Sequence, residues 1–421
     1  MPHSDDRGGP AIQHNLIWDR KRVGILALGH AVVDSYGGFL AALLPRLVDK
    51  LSISYTQAGY LVTIVTLSSS LAQPLYGYWS DRMRRGYLLV AGPALAALFW
   101  SGIGFAPNYA SLVILLILGG IGVAAFHPQG AALVGSVSKD RGGLGISLFS
   151  MGGSIGYSSG PLIAAAIVSV YGLQSLTFAM IPGVLMSVLL YKYVFASDVH
   201  TRRSNEADRS GEPLRARWDA LALLCGIVVL RAAVNGAFMN FLPLLLKERG
   251  ASLMMGGLSV FVFLFPGSFG GILGGYFSDR LGRKRVLIFS MIACLPFLYA
   301  SIFVGQALSL IFLACAGFLI FSSTPVNIIM AQELVPGRAS MVSALMMGFG
   351  WGLGYLPMML FGMLADAFGI MSVLYVAAGL PALGLLLSLF VPETQSRAGR
   401  SRENCADGEI DAAIRNPTSE T

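Results

Sequence analysis

The sequence predicts an all-α membrane protein with twelve transmembrane helices in two six-helix bundles, and two observations support this fold class. First, hydrophobic residues make up 55% of the 421-residue chain and charged residues only 12%, whereas soluble domains carry roughly 25% charged residues. A soluble protein this apolar could not cover its surface with polar groups, so lipid is the expected solvent. Second, one short basic motif occurs twice, with an offset of 198 positions from Asp81 to Asp279, which indicates two copies of one unit.

Twelve apolar runs define the predicted helices, because each has roughly the 20 residues needed to cross a bilayer. The first six lie at 23–47, 56–78, 87–106, 109–135, 142–170 and 174–196. The next six lie at 219–246, 254–277, 286–304, 308–332, 339–367 and 370–391. The two bundles therefore span 23–196 and 219–391. The polar stretches 1–22 and 392–421 are predicted as the two tails, and 197–218 as the linker between the bundles. The tail 392–421 is predicted to be disordered.

The distribution of Lys and Arg predicts the orientation. Basic residues cluster in the two tails, in the linker and in alternate loops. The other loops hold little beyond Arg46, Lys50, Lys247 and Arg249. Both termini and the linker are therefore expected in the cytoplasm. The net charge of +7 lies in short clusters between apolar runs, so no nucleic-acid partner is predicted.

The repeated basic motif predicts a gate or a loop anchor. An aspartate at a helix end can cap the next helix or pair with a nearby arginine. Glu333 and Arg338, at the cytoplasmic end of the tenth run, are assigned to the same function. The predicted gate residues are Gly77, Asp81, Arg82, Gly275, Asp279, Arg280, Gly282, Arg283, Glu333 and Arg338.

Two ionisable residues in the first run are the predicted proton-coupling residues. His30 and Asp34 are four residues apart, so they share one helix face. Charge inside the bilayer is costly and usually faces a cavity, and a carboxylate beside an imidazole can hold or release a proton. A purely structural hydrogen-bonded pair is the alternative.

Four further polar residues are predicted to line a substrate cavity: Gln73, His127, Arg231 and Asn235. His127 precedes Pro128, so it either caps the carbonyl of Ala124 that the proline leaves free or contacts substrate. Arg231 cannot be neutralised and needs a carboxylate, a ligand anion or water. A permanent salt bridge to Asp34 or to a similar acid is the alternative.

The fifth run contains a glycine–proline motif, Gly156, Gly160 and Pro161. Glycines four apart let another helix approach closely, and the proline bends the helix. The motif predicts either tight packing or a flexible seam between the two halves. No catalytic, metal or cofactor constellation is predicted. A membrane-bound acyltransferase would need a different spacing from that of His30 and Asp34.

The loop motif G-x-x-x-D-R-x-G-R-[KR] resembles the signature of the major facilitator superfamily. The second copy is complete, whereas the first reads Met83-Arg84-Arg85-Gly86 after Asp81-Arg82. The fifth-run motif is similar to that of the drug/proton antiporters in this superfamily. A closer resemblance is to bacterial fosmidomycin resistance proteins. It rests on His30-x-x-x-Asp34, Gln73-Pro74-x-x-Gly77, Phe126-His127-Pro128 and Gln332-Glu333-Leu-Val-Pro336-Gly337-Arg338.

The resemblance implies a two-bundle transporter of the bacterial inner membrane that exports a drug in exchange for protons, and we expect it to be a monomer. It also implies a central cavity lined by the first, fourth, seventh and tenth helices. One departure is that the R-x-x-Q-G motif of many antiporters is absent, because 119–130 contains no arginine. His127 or Arg231 would have to replace that arginine. An uptake symporter for an organic anion is the alternative on the same scaffold.

Overall fold

A computed structural model describes residues 19–73, 75–76, 86–138, 141–194, 217–335 and 338–394. The described residues form helices and connecting turns, without strands, so the all-α expectation is confirmed. We number the helices α1–α12 in chain order. Eleven of them are long and apolar enough to cross a membrane. The other predicted run, 56–78, lies partly outside the described residues.

The first half contains α1 to α6. Their bounds are α1, Arg20–Gly37 and Phe39–Leu51; α2, Tyr55–Thr66 with a π-helical turn at Leu67–Leu71; α3, Tyr87–Ser101; α4, Tyr109–Ser138; α5, Gly142–Tyr171; and α6, Met180–Tyr193. Short 3₁₀ segments follow α3 at Gly102–Phe105 and precede α6 at Leu173–Ala179. Helix α1 packs mainly against α5 and α4, and α3 packs against α4 and α6.

The second half contains α7 to α12. Their bounds are α7, Trp218–Glu248; α8, Leu253–Leu281; α9, Arg283–Phe303; α10, Gln306–Ser322 and Thr324–Leu334; α11, Ala339–Ala344, a π-helical turn at Leu345–Gly350, Trp351–Gly354 and Met358–Phe368; and α12, Ile370–Phe390. Large apolar side chains such as Phe303, Phe368 and Phe390 are exposed on the outside, as lipid-facing surfaces require.

Helix α1 is interrupted, although the sequence predicts one continuous run there. The interruption lies at Gly38, where a Cβ atom would be 2.4 Å from Cδ of Pro161 in α5. Only glycine permits this close approach. The break ends the first segment of α1 one turn after Asp34.

The two halves are related by a pseudo-two-fold axis, and two pairs of residues mark it. The hydroxyls of Tyr157 and Tyr355 lie 3.1 Å apart, and these residues are 198 positions apart in the chain. Asp49 and Lys247 form an ion pair and are also separated by 198 positions. In a two-fold arrangement a residue can touch its own equivalent only near the axis. The axis therefore passes between both pairs.

The halves contact each other at the end of the bundle that lies away from residues 19 and 394. Helix α2 packs against the last segment of α11, α5 against α8, and the second segment of α1 against α7. The packing is reciprocal: a Cβ on Gly59 would lie 2.2 Å from the carbonyl oxygen of Met358, and one on Gly257 would lie 2.8 Å from that of Pro161. The interface is thus closed at this end by backbone-to-backbone contact.

Candidate functional site

Three ionisable side chains meet where α1 and α4 face each other: His30, Asp34 and His127. Nε2 of His30 lies 3.1 Å from Oδ2 of Asp34, and Nε2 of His127 lies 3.0 Å from Oδ1 of the same carboxylate. The two Nε2 atoms are 3.2 Å apart. We call these three residues the His–Asp–His cluster. Each carboxylate oxygen therefore has its own imidazole partner at hydrogen-bond distance.

The second nitrogen of each ring is held by the backbone. Nδ1 of His30 lies 2.8 Å from the carbonyl oxygen of Phe149 in α5. Nδ1 of His127 lies 2.8 Å from the carbonyl oxygen of Val123, one turn earlier in α4. A hydrogen bond from one ring nitrogen fixes the orientation of the other. Both rings therefore aim Nε2 at Asp34.

The glycines of α5 make room for the cluster. A Cβ on Gly153 would lie 2.6 Å from Nε2 of His30 and 2.8 Å from Oδ2 of Asp34. The sequence left open whether Gly156 and Gly160 form a flexible seam between the halves, and the structure instead shows them in tight packing. Both lie against the backbone of α1 in the same half, where a Cβ would be 2.0 Å from a carbonyl oxygen. Pro161 of this motif also touches the other half, through Gly257.

His127 lies in a helix that continues through Pro128. One of the two expectations from the sequence was that His127 caps the carbonyl of Ala124, and the structure does not show this contact. The side chain bonds to the carbonyl of Val123 and to Asp34 instead. The ring of His30 stacks on Phe149, with ring centroids 4.0 Å apart. The cluster is thus polar on the carboxylate side and aromatic behind it.

Arg231 is buried in α7, with 3% of its surface exposed. Its Nη1 lies 3.2 Å from Oγ of Ser323 and 3.5 Å from Oδ1 of Asn327, both at the interruption of α10, while Nε has no hydrogen-bond partner in the described part of the chain. Among the described residues no carboxylate forms an ion pair with it, and Asp34 pairs with the two histidines. The alternative of a permanent Arg231–Asp34 salt bridge is therefore wrong for this conformation.

The other two predicted cavity residues each bond to a different partner. Asn235, four residues after Arg231, is fully buried and donates to the hydroxyl of Tyr355 at 2.7 Å, while its Oδ1 has no hydrogen-bond partner among the described residues. Gln73 donates to the carbonyl of Ser69 in its own helix. Asn235 thus belongs to the tyrosine pair on the pseudo-two-fold axis rather than to the contacts of Arg231.

The described part of the predicted gate surrounds Arg283. Nη2 of Arg283 lies 2.6 Å from Oδ1 of Asp279 and 3.3 Å from Oε1 of Glu333, and Nη1 donates to Oγ of Ser278. Gly282 has φ +101°, a conformation that favours glycine, and forms the turn between α8 and α9. These contacts tie that turn to α10.

The remaining gate residues are distributed around this turn. The guanidinium of Arg280 lies 4.3 Å from the ring centroid of Tyr276. Gly275 faces Pro325 of α10, and the backbone N–H of Arg338 donates to the carbonyl of Val335 just before α11. Gly77, Asp81 and Arg82 of the first copy lie outside the described residues.

The His–Asp–His cluster is also the one group of three potential metal-ligating side chains in the searched, described residues, with ligand atoms within 4.8 Å of one another. Imidazole and carboxylate are common metal ligands. The separations of 3.0–3.2 Å are hydrogen-bond lengths, which fit direct proton sharing between these groups.

Comparisons with known proteins agree with this geometry. The sequence model of the Major Facilitator Superfamily matches residues 26–226 and 224–418. The chain belongs to the major facilitator superfamily. Its relatives within the superfamily include the fosmidomycin resistance protein of Escherichia coli (strain K12), which is 29% identical over 89% of this chain and 93% of that protein. The expected resemblance to the fosmidomycin resistance family is therefore confirmed.

Other superfamily members match over similar lengths. The uncharacterized MFS-type transporter YfnC of Bacillus subtilis (strain 168) is 28% identical over 90% of this chain and 94% of its own. Among solved structures, a bacterial homologue of the human lysosomal transporter Spinster, in an inward-facing and occupied conformation, has a TM-score of 0.73 at 15% identity. That match covers 88% of this chain and 96% of the other. A D-xylose–proton symporter has a TM-score of 0.70 at 16% identity, covering 89% and 98%. The major facilitator fold is confirmed.

Several residues of the site were missed by reasoning from the sequence. The carbonyl of Phe149 and the glycine Gly153 carry no signal of their own, because a backbone acceptor and a small residue look alike everywhere. Ser323 and Asn327 do carry one, since they are polar residues in the apolar run 308–332. Tyr157 and Tyr355 carry one as well. They are tyrosines at the same 198-residue spacing as the repeated superfamily motif.

Proposed function

We propose that this superfamily member is a proton-coupled exporter that exchanges protons for small drugs or metabolites, including anionic compounds such as fosmidomycin. Asp34 carries the transported proton, with His30 and His127 as its partners. Arg231 receives the negative charge of the substrate. The name of the Escherichia coli relative supports the substrate class, and multidrug efflux pumps of Streptococcus pneumoniae, 22% identical over 62% of this chain, support export.

One observation carries the proposal. Two costly charges of the membrane interior, Asp34 and Arg231, lie in opposite halves, and they do not neutralise each other. Asp34 lies between two imidazoles, while Arg231 has only neutral partners among the described residues. A buried cation without a counter-ion attracts an anionic ligand. A carboxylate next to two imidazoles can change its protonation when the halves move and water reaches it from the other side.

The proposed location is the bacterial inner membrane, with both termini in the cytoplasm. The closed end of the bundle, at Asp49 and Lys247, would then face the periplasm, and the conformation would be open toward the cytoplasm. Single cysteines at Ser204 and Ser401, both outside the described residues, test this orientation. Membrane-impermeant reagents should label them only in inside-out vesicles. Labelling of intact cells at either position would contradict it.

The coupling is tested with purified protein in liposomes that contain labelled fosmidomycin. An imposed pH gradient should drive fosmidomycin against its own concentration gradient, in the direction opposite to proton flow. Asp34→Asn should abolish the response to the gradient and leave fosmidomycin–fosmidomycin exchange detectable, because the amide keeps the shape but cannot carry a proton. Movement of fosmidomycin together with protons would instead support the uptake symporter. A full gradient response in Asp34→Asn would place the proton site elsewhere.

A further inference from the structure

We propose that the His–Asp–His cluster binds two exchangeable protons, one in each imidazole–carboxylate contact. These two protons are counted from the state in which both imidazole rings are neutral and the carboxylate of Asp34 is ionised. The inference rests on the proposed function, which needs only one proton, and extends it to the capacity of the proton site.

The first step is the identity of the donors. The carbonyl oxygens of Phe149 and Val123 can only accept hydrogen bonds. Nδ1 of His30 and Nδ1 of His127, each 2.8 Å from one of these oxygens, must therefore each carry a hydrogen. In a neutral ring only one nitrogen carries a hydrogen. Nε2 of both neutral rings is consequently an acceptor.

The second step is to count protons between the three side chains. Without an added proton, two Nε2 lone pairs and a carboxylate face one another at 3.0–3.2 Å, and each contact is repulsive. One proton can lie in one of the two imidazole–carboxylate contacts or between the two Nε2 atoms, which are 3.2 Å apart. In each case at least one imidazole–carboxylate contact stays without a hydrogen. Two protons fill both contacts, because Oδ1 and Oδ2 of Asp34 face different rings.

The third step is the electrostatic environment of the cluster. The segment Arg20–Gly37 packs against α3, α4, α5 and α6. Apart from His127, the charged side chain on those four helices is Lys192, at the far end of α6. Two further titratable groups lie beside this part of α1: Tyr36 on α1 itself, which donates to the carbonyl of Ala179, and Tyr157 on α5, whose ring lies 3.6 Å from the position that a Cβ on Gly37 would take. Within these four described helices, no fixed charge therefore lies beside the cluster.

Two protons take the cluster from a net charge of −1 to +1. The side chains of His30, Asp34 and His127 are 12%, 19% and 21% exposed, so the protein does not fully enclose any of the three. Water at this exposed surface would provide a path for protons and hydrate the charged states, which a fully dry site would disfavour. The cluster can thus pass through all three charge states without leaving its place in the fold.

The test is ¹⁵N nuclear magnetic resonance of histidine-labelled protein in lipid nanodiscs. The chain has five histidines, and His3→Gln, His14→Gln and His200→Gln leave only the two of the cluster. Both rings should show a hydrogen on Nδ1. Lowering the pH should produce two protonation steps, each visible on both rings because the groups are coupled, and should end with both rings as imidazolium.

Matched variants separate the cluster from ordinary histidine titration. His30→Gln and His127→Gln should each reduce the two coupled steps to one on the remaining ring. Asp34→Asn should remove the coupling, so that each ring takes its second proton only at a lower pH. A ring with its hydrogen on Nε2, or a single protonation step in the parent protein, would overturn the inference. The tautomer of the parent protein is informative even if a variant does not fold.

The result is independent of substrate. A one-step titration in a protein that still moves fosmidomycin with the pH gradient would refute the two-proton site and leave the proposed function intact. A two-step titration in a protein that moves no fosmidomycin with the pH gradient would support the two-proton site and refute the proposed function.

Discussion

Asp366 in α11 caps the amino-terminal end of α2 in the other half, through Thr56. Oδ2 of Asp366 lies 2.8 Å from the backbone nitrogen and 2.6 Å from Oγ1 of Thr56, and Oδ1 lies 2.9 Å from the backbone nitrogen of Tyr55. The hydroxyl of Tyr55 donates to Glu248 of the second half. One carboxylate of the second half thus satisfies two of the N–H groups that the start of a helix in the first half leaves free, so the contact links the two halves at their closed end.

This contact predicts the effect of Asp366→Ala on the conformational equilibrium. Loss of a helix cap costs about 1 kcal/mol, or roughly fivefold in the ratio of closed to open conformers. Spin labels at the exposed, repeat-equivalent positions Ala110 and Leu308 should report longer distances in the variant. The control is Asp219→Asn, an exposed acid at the first turn of α7. Unchanged distances in Asp366→Ala would show that the cap does not hold this end shut.

A second prediction concerns the buried cation Arg231. Arg231→Ala should weaken fosmidomycin binding about tenfold or more, because hydrogen bonds to a charged group contribute roughly 1.5–3 kcal/mol. Arg231→Lys should restore part of the affinity if charge matters more than the planar guanidinium. Equilibrium binding to purified protein measures both. Lys192→Ala removes an exposed cation at the end of α6 and should leave binding unchanged. Equal affinities for parent and Arg231→Ala would exclude Arg231 from the substrate site.

A third prediction concerns the glycine face of α5. Gly156→Ala should lower the thermal stability of the purified protein, since its Cβ would lie 2.0 Å from the carbonyl oxygen of Ala31. Backbone cannot move aside as a side chain can, and overpacking costs roughly 1–3 kcal/mol. Gly135→Ala is the matched control, because that glycine is exposed in α4 with nothing within 4 Å of the added atom. Equal melting temperatures for the two variants would contradict the packing.

A fourth prediction concerns the turn between α8 and α9. Asp279→Asn should keep the protein inserted and cut transport, because the amide loses the charge-assisted bond to Arg283, which is roughly twice as strong as a neutral one. Glu333 also contacts Arg283, so Glu333→Gln should show a smaller loss of the same kind. The measurement is transport by the parent protein and by both variants in liposomes at matched protein levels. Unchanged transport in Asp279→Asn would make this aspartate dispensable.

Several features of the protein were predictable from the sequence because they follow from local chemistry. The apolar runs predicted the long helices, since a bilayer demands about 20 apolar residues whatever the fold. Helix α5, for example, occupies Gly142–Tyr171 against a predicted run of 142–170. The repeated superfamily motif predicted two halves. His30 and Asp34 were predicted on one helix face because an i, i+4 spacing fixes that geometry.

Only the tertiary structure placed His127 against Asp34 and Arg231 away from it. His127 is 97 positions from His30, and no periodicity connects two helices that far apart in the chain. The partners of the cluster could not be predicted from the sequence either. The carbonyl of Phe149 is a backbone group that every residue has, and Gly153 makes room for the cluster because it lacks a side chain. The sequence alone thus determined which costly groups lie in the membrane. The packing of α1, α4 and α5 decided which of them share protons, because hydrogen bonding requires contact distances that only the folded chain sets.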